Sequence, residues 1–133
     1  MGTILDLVGN TPMAEIKKLN PNPRVRMFAK LEGNNPGGSV KDRAALNMIR
    51  SALERGEIKP GTKLIEATSG NTGIGLAYVC AARGYKLKVT MPESMSLERR
   101  RMLKALGAEL ILTWYILSKT EPNGFSLWEP IPE

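Results

Sequence analysis

From residue 39 onward the chain switches between two hydrophobic periods. Apolar side chains at Val40, Ala44, Ala45, Met48, Ile49, Ala52 and Leu53 recur at helical spacing and predict a helix that runs from Ser39 to Arg55 with one buried face. Lys63 to Ala67 is short and strand-like. A polar, glycine-rich turn from Thr68 to Gly75 follows, and then a helix through Leu76, Ala77, Cys80 and Ala81 to Arg83. A strand at Lys86 to Met91, a helix from Ser96 to Leu106 and a strand at Glu109 to Thr113 complete the alternation. Gly56, Gly84 and Gly107 each stand where a helix should stop, because glycine takes the left-handed conformation at helix ends without a steric cost.

Alternating helices and strands predict an α/β fold, a parallel sheet with covering helices, and parallel strands favour burial on both faces. Ahead of it, Met13 to Leu19 and Arg24 to Leu31 read as two strands joined by Asn20-Pro21-Asn22-Pro23, a β-hairpin-like arm. The expected organisation is an arm over residues 1–34, an α/β unit over 35–113 and a distinct tail over 114–133. The tail holds both tryptophans and three of the nine prolines, which argue against a long helix there.

Composition narrows the function. The 42% hydrophobic content suits a folded domain, and no run of about 18 apolar residues suggests a membrane span. The absence of histidine removes Ser-His-Asp and Cys-His catalysis and most zinc sites, so no metal is expected. A single cysteine, Cys80, excludes an internal disulfide and fits a reducing, cytoplasmic setting. It falls on an apolar helix face, where a small buried hydrophobe is the expected role. Residues 1–113 carry 18 basic and 10 acidic side chains, and the tail one and three. Aromatics are too few to interleave with the basic run Arg99-Arg100-Arg101 and Lys104, so that run is expected to be a solvated face rather than a nucleic-acid site.

Two segments carry candidate chemistry. In Gly33-Asn34-Asn35-Pro36-Gly37-Gly38-Ser39-Val40-Lys41-Asp42-Arg43 a Pro-Gly-Gly turn feeds a helix, with Ser39 as expected N-cap and Asp42 completing a capping box. Lys41 then lies in the first helical turn, where the helix dipole disfavours the ammonium form and an amine is better disposed to attack an aldehyde. Lys41 is also one of 19 basic residues, and a solvated lysine is the commoner outcome. The second segment, Thr68-Ser69-Gly70-Asn71-Thr72-Gly73-Ile74-Gly75, joins a strand to a helix N-terminus. It offers backbone N–H groups and hydroxyls to an anion. It lacks the Gly-Lys-Ser/Thr of a triphosphate loop and the Gly-x-Gly-x-x-Gly of a dinucleotide site, and it suits a carboxylate. An ordinary turn with Thr68 or Ser69 as the N-cap would also account for it.

Together these segments resemble the fold-type II pyridoxal-phosphate enzymes, and within them the cysteine synthase (O-acetylserine sulfhydrylase) family, nearest its B-type branch. The resemblance rests on Leu7-Val8-Gly9-Asn10-Thr11-Pro12, Lys30-Leu31-Glu32-Gly33-Asn34-Asn35-Pro36, Gly38-Ser39-Val40-Lys41-Asp42-Arg43, Glu66-Ala67-Thr68-Ser69-Gly70-Asn71-Thr72-Gly73, Met91-Pro92-Glu93-Ser94-Met95-Ser96 and Gly107-Ala108-Glu109-Leu110. It spans Met1 to about Thr113, and cystathionine β-synthases share the same motifs. The resemblance implies that Lys41 holds pyridoxal 5'-phosphate as a Schiff base and later acts as general base. It implies that Asn71 bonds the cofactor's ring hydroxyl, and that Thr68, Ser69, Gly70 and Thr72 hold the substrate α-carboxylate. The implied reaction is β-replacement, O-acetylserine plus sulfide giving cysteine and acetate. The implied partners are a small amino-acid substrate, a second copy in a homodimer and the C-terminal peptide of serine acetyltransferase. Nucleic acid and membrane are not among them. Family chains are longer and carry the phosphate-gripping loop in a second domain. A truncated form, weak in catalysis or reduced to capturing a carboxylate or peptide, is therefore also expected.

Overall fold

The computed structural model describes residues 2–114 and the pair 129–130. The tail's expected distinctness lies almost wholly outside the described residues. Two short strands, β1 (Met13–Glu15) and β2 (Phe28–Lys30), pair antiparallel, with Ala14 opposite Ala29. This is the expected arm with much shorter strands. The Asn-Pro-rich connection instead closes on itself, with Asn22 N–H donating to Asn20 Oδ1 and Arg24 N–H to Asn22 Oδ1.

The α/β unit comprises α1 (Lys41–Glu54), β3 (Lys63–Ala67), α2 (Asn71–Arg83), β4 (Lys86–Pro92), α3 (Leu97–Ala105) and β5 (Glu109–Trp114). β3, β4 and β5 are parallel neighbours in that order, with Leu64 opposite Leu87 and Val89 opposite Leu110. A two-residue strand, β6 (Glu129–Pro130), adds antiparallel to β5. No alternation marks it in the sequence, and a proline can sit there because the strand is at an edge. Gly56, Gly84 and Gly107 all take positive φ, between 72° and 81°, just past the helix ends, as their positions predict.

The core gathers around α2. From Gly73 to Cys80 every residue of this helix is buried, because α1, α3 and β4 all pack on it. Val79 and Val89 are wholly inaccessible, and each such side chain contributes about 1.5–3 kcal/mol by leaving water. Cys80 is buried as expected, and burial pushes its thiol up to about 11.

Parallel strands favour burial on both faces, but here one face of the sheet is left open. Leu87, Val89 and Met91 point into the core, but the alternate positions face outward. There Lys63 and Lys88 both pair with Glu109, at 2.8 and 2.6 Å, and Ile65 is 67% exposed. Val40 and Met48 of α1 are likewise each 52% exposed, so only part of the apolar period of this helix is covered. Its buried positions are Asp42, Ala45 and Ile49, a narrower stripe than the sequence predicts.

Candidate functional site

The start of α1 is set by the Pro-Gly-Gly turn. Gly38 N–H donates to the Asn35 carbonyl at 2.8 Å, and Gly38 takes φ +81°. Gly37 N–H donates to Asp42 Oδ2 at 2.6 Å. A Cβ on Gly37 would lie 2.5 Å from Asp42 Oδ1, so glycine is required for the carboxylate to fold back onto the turn. The expected capping box is replaced by this arrangement. Val40 occupies the N-cap with helical dihedrals, and the Ser39 hydroxyl accepts from Lys41 N–H at 3.1 Å rather than from residue 42. The serine is one residue too early to cap. Asp42 is fully buried and its Oδ1 has no partner among the described residues. Burial raises its pKa, against the lowering effect of the Gly37 and Ser39 backbone.

A second set of polar contacts ties this helix start to the arm. Arg43 forms a two-pronged bond to Glu32, Nε to Oε2 at 2.8 Å and Nη2 to Oε1 at 2.9 Å. Thr11 Oγ1 donates to Glu32 Oε1 at 2.7 Å, and Asn35 Nδ2 donates to Oε2 at 3.0 Å. Gly9 N–H donates to Asn35 Oδ1 at 2.8 Å. The Lys30 ammonium donates to the Thr11 carbonyl. Arg43, with Thr11 next, holds the Glu32 carboxyl down at about 2, and Glu32 raises the Arg43 guanidinium in turn. Three of the sequence motifs thus converge on one saturated clamp.

The second segment begins at the C-terminal end of β3, where Thr68 N–H donates to the Thr90 carbonyl of β4 at 3.1 Å. α2 begins earlier than the glycines suggest. Gly70 is its N-cap and Asn71 its first residue, so Asn71 and Thr72 are helical. The two glycines inside α2 serve close packing. A Cβ on Gly73 would meet Thr68 Cγ2 at 2.6 Å, and one on Gly75 would meet Ala45 Cβ at 3.0 Å and the Lys41 carbonyl oxygen at 3.2 Å. Gly75 therefore lets α2 pack closely on the backbone of the first turn of α1, which carries Lys41.

Neither Thr68 nor Ser69 caps α2. The Thr68 hydroxyl accepts a 3.4 Å contact from Gly70 N–H, and the N–H groups of Asn71 and Thr72 have no acceptor within the helix. Among the described residues the side chains of Ser69, Asn71 and Thr72 and the Lys41 amine make no hydrogen bond or ion pair. A pocket of about 90 Å³ opens here, lined by Ala67, Thr68, Ser69, Thr90 and Pro92. Pockets that enclose a whole small ligand run to about 300 Å³ or more, so this one fits a single group such as a carboxylate. It lies at the C-terminal strand ends, the usual ligand edge of a parallel sheet.

One neighbour goes unmarked in the sequence. Arg99, three residues into α3, donates from Nη1 to the Ser69 carbonyl at 2.9 Å. Arg100 is half-buried with its Nε unpartnered among the described residues, so the basic run is only partly the solvated face expected of it. Among the described residues no cluster of three acidic, cysteine or histidine side chains could hold a metal, and no helix is long and apolar enough to cross a membrane.

A parallel α/β sheet with a lysine in the first turn of α1 after a glycine-rich turn, and a polar turn leading into α2, points to a class. The chain belongs to the family described as "Pyridoxal-phosphate dependent enzyme", which matches residues 4–125. It is 58% identical over 112 residues to cysteine synthase B of Salmonella typhimurium, covering 84% of this chain and 37% of that relative. Among solved structures it resembles a hydrogen sulfide-producing enzyme from Fusobacterium nucleatum, with TM-score 0.82 and 49% identity over 88% of this chain and 38% of the other. It also resembles O-ureido-L-serine synthase, with TM-score 0.82 and 41% identity over 93% and 38%. The chain thus spans well under half the length of each of these proteins.

The residues present fit the aldehyde and ring end of the family's cofactor. Among the described residues the Lys41 amine in the first turn of α1 and the Asn71 amide in the first turn of α2 are unpartnered, and Gly75 packs the two helices closely.

Proposed function

We propose that this chain is the small α/β part of a cysteine synthase-type enzyme, organised as an arm over 1–34, a partial α/β domain over 35–113 and a tail over 114–133. The reaction is β-replacement on an activated serine, O-acetylserine plus sulfide yielding cysteine and acetate. One observation supports the reading: Gly75 packs α2 on the Lys41 backbone, while the Lys41 amine and the side chains of Ser69, Asn71 and Thr72 have no partner among the described residues. Pyridoxal 5'-phosphate, when bound, supplies the electron sink that makes the substrate α-proton acidic.

The chain's own groups divide the remaining work. Lys41 carries the cofactor, takes the α-proton as acetate leaves the β-carbon, and returns a proton to the α-carbon once sulfide has added. Thr68, Ser69, Gly70 and Thr72 fix the α-carboxylate with hydroxyl and backbone donors. That leaves the α-C–H facing the amine, and fixed orientation is itself a large part of the rate. Asn71 bonds the cofactor's ring hydroxyl. Small amino acids are the substrates, a second copy and an acetyltransferase C-terminal peptide are the partners, and the setting is cytoplasmic.

A second reading is favoured by the pocket of about 90 Å³ beside Thr68 and Ser69, which has room for one carboxylate. On that reading the chain captures carboxylates or peptide C-termini without turnover. The test is a visible spectrum after incubation with pyridoxal 5'-phosphate and dialysis. A retained band that Lys41→Ala lacks supports the first reading. No retained band, with carboxylate binding intact, selects the second.

A further inference from the structure

The contact between Arg99 and Ser69 joins the first turn of α3 to the turn before α2, 30 residues apart in sequence. Arg99 is anchored at both ends. Its backbone N–H donates to the Ser96 hydroxyl at the N-cap of α3, at 3.5 Å, and its guanidinium Nη1 donates to the Ser69 carbonyl at 2.9 Å. Ser69 in turn lines the 90 Å³ pocket with Thr68, Thr90 and Pro92. Its neighbours are otherwise lightly held. Thr68 N–H reaches β4 and Gly73 N–H reaches the Gly70 carbonyl; of the peptide linking Ser69 to Gly70, the N–H makes a long 3.4 Å contact with the adjacent Thr68 hydroxyl and the carbonyl is held by Arg99 at 2.9 Å. A peptide plane is rigid, so fixing the Ser69 carbonyl also fixes the direction of the Gly70 N–H.

We infer that Arg99 is a positioning residue for carboxylate binding: by accepting its bond, the Ser69 carbonyl is turned away from the pocket and the opposite N–H is turned toward it. This rests on the carboxylate reading of the Thr68–Thr72 segment given above. The direction of the effect follows from electrostatics. A carbonyl oxygen turned into the pocket would repel a carboxylate, whereas an N–H donor attracts it. The guanidinium also adds a positive charge at the rim, and that contribution weakens with salt.

The probe is acetate, with acetamide as the uncharged control, added to the full 133-residue chain while the amide signals of Gly70, Asn71 and Thr72 are followed by NMR. Wild type should bind acetate in preference to acetamide. Arg99→Ala should lower the acetate affinity about fivefold, the effect of one net hydrogen bond, with an unchanged thermal midpoint. Arg99→Lys, which can still donate to one carbonyl, should recover most of the loss. A wild type without acetate preference removes the carboxylate reading and the inference with it. A wild type that prefers acetate, with Arg99→Ala equal to it, overturns the inference alone. Weakening in Arg99→Ala that tracks a lower thermal midpoint, or that Arg99→Lys does not recover, also overturns it.

Discussion

The clamp around Glu32 and the segment from Thr68 to Thr72 are both polar and both stand at a helix start, yet they are opposites. In the clamp almost every donor finds an acceptor. Arg43, Thr11 and Asn35 saturate the two oxygens of Glu32, and Gly9 completes the ring of bonds. In the Thr68–Thr72 segment the Ser69 and Thr72 hydroxyls and the Asn71 amide, like the Lys41 amine at the start of α1, are left without partners among the described residues. Saturated polar groups hold a fold together, while unsaturated ones at a sheet's C-terminal edge leave donors free, at the edge where parallel sheets usually bind ligands. The comparison also separates two neighbours in sequence. Lys41 points its chemistry outward, whereas Asp42 and Arg43 are consumed in shaping the turn that presents it.

The largest expected effect breaks the comparison from the open side. Lys41→Ala should abolish retention of the visible band and leave the urea midpoint within experimental error, since the amine has no partner to lose. A fall in the midpoint would place Lys41 on the structural side instead.

Gly75→Val attacks the joint between the two regions. Its side chain would press on Ala45 and the Lys41 carbonyl, and overpacking of that kind costs about 1–3 kcal/mol. Both the denaturation midpoint and the visible band should suffer. Loss of stability with the band intact would show that Gly75 does not place Lys41.

On the clamp side, Gly9→Ala forces an L-residue to φ +91° and sets a Cβ 2.8 Å from Arg43 Nη1. It should cost about 1–3 kcal/mol in urea unfolding, with carboxylate binding unchanged. The reciprocal variant, Thr72→Ala, should weaken carboxylate binding about tenfold and leave stability alone.

A smaller effect is readable in acid. The folded Glu32 carboxyl titrates near 2 rather than its ordinary 4.5, because Arg43 and Thr11 favour its charge. A depressed folded value contributes stability above the unfolded pKa, and that stability drains as pH falls from about 4.5 toward 2. Glu32→Gln should flatten this part of the pH–stability curve. An unchanged slope would mean that the clamp does not set it.

Much of the fold is legible in sequence because its signals are local. Helix ends are marked by Gly56, Gly84 and Gly107, and the parallel order follows from the alternation of periods. The candidate site residues are legible only through their resemblance to a family, since spacing alone leaves Lys41 ambiguous. What stays hidden depends on distant partners. The bonds of the clamp connect residues as far apart as Thr11 and Arg43, and Arg99 meets Ser69 from another helix. The start of α2 at Asn71 is masked because Gly73 and Gly75, read as turn glycines, are packing glycines. Met48 and Val40 match the helical period but lie beyond the stripe that α2 covers.

The most direct test of the central claim is chemical mapping. The chain is incubated with substoichiometric pyridoxal 5'-phosphate, reduced with borohydride, digested and read by mass spectrometry. If Lys41 is the presented amine and the clamp is only scaffold, the label should concentrate on the peptide that contains Lys41, with Lys30 unlabelled. Label spread across the surface lysines, or gathered on Lys30, would contradict the division between the two regions.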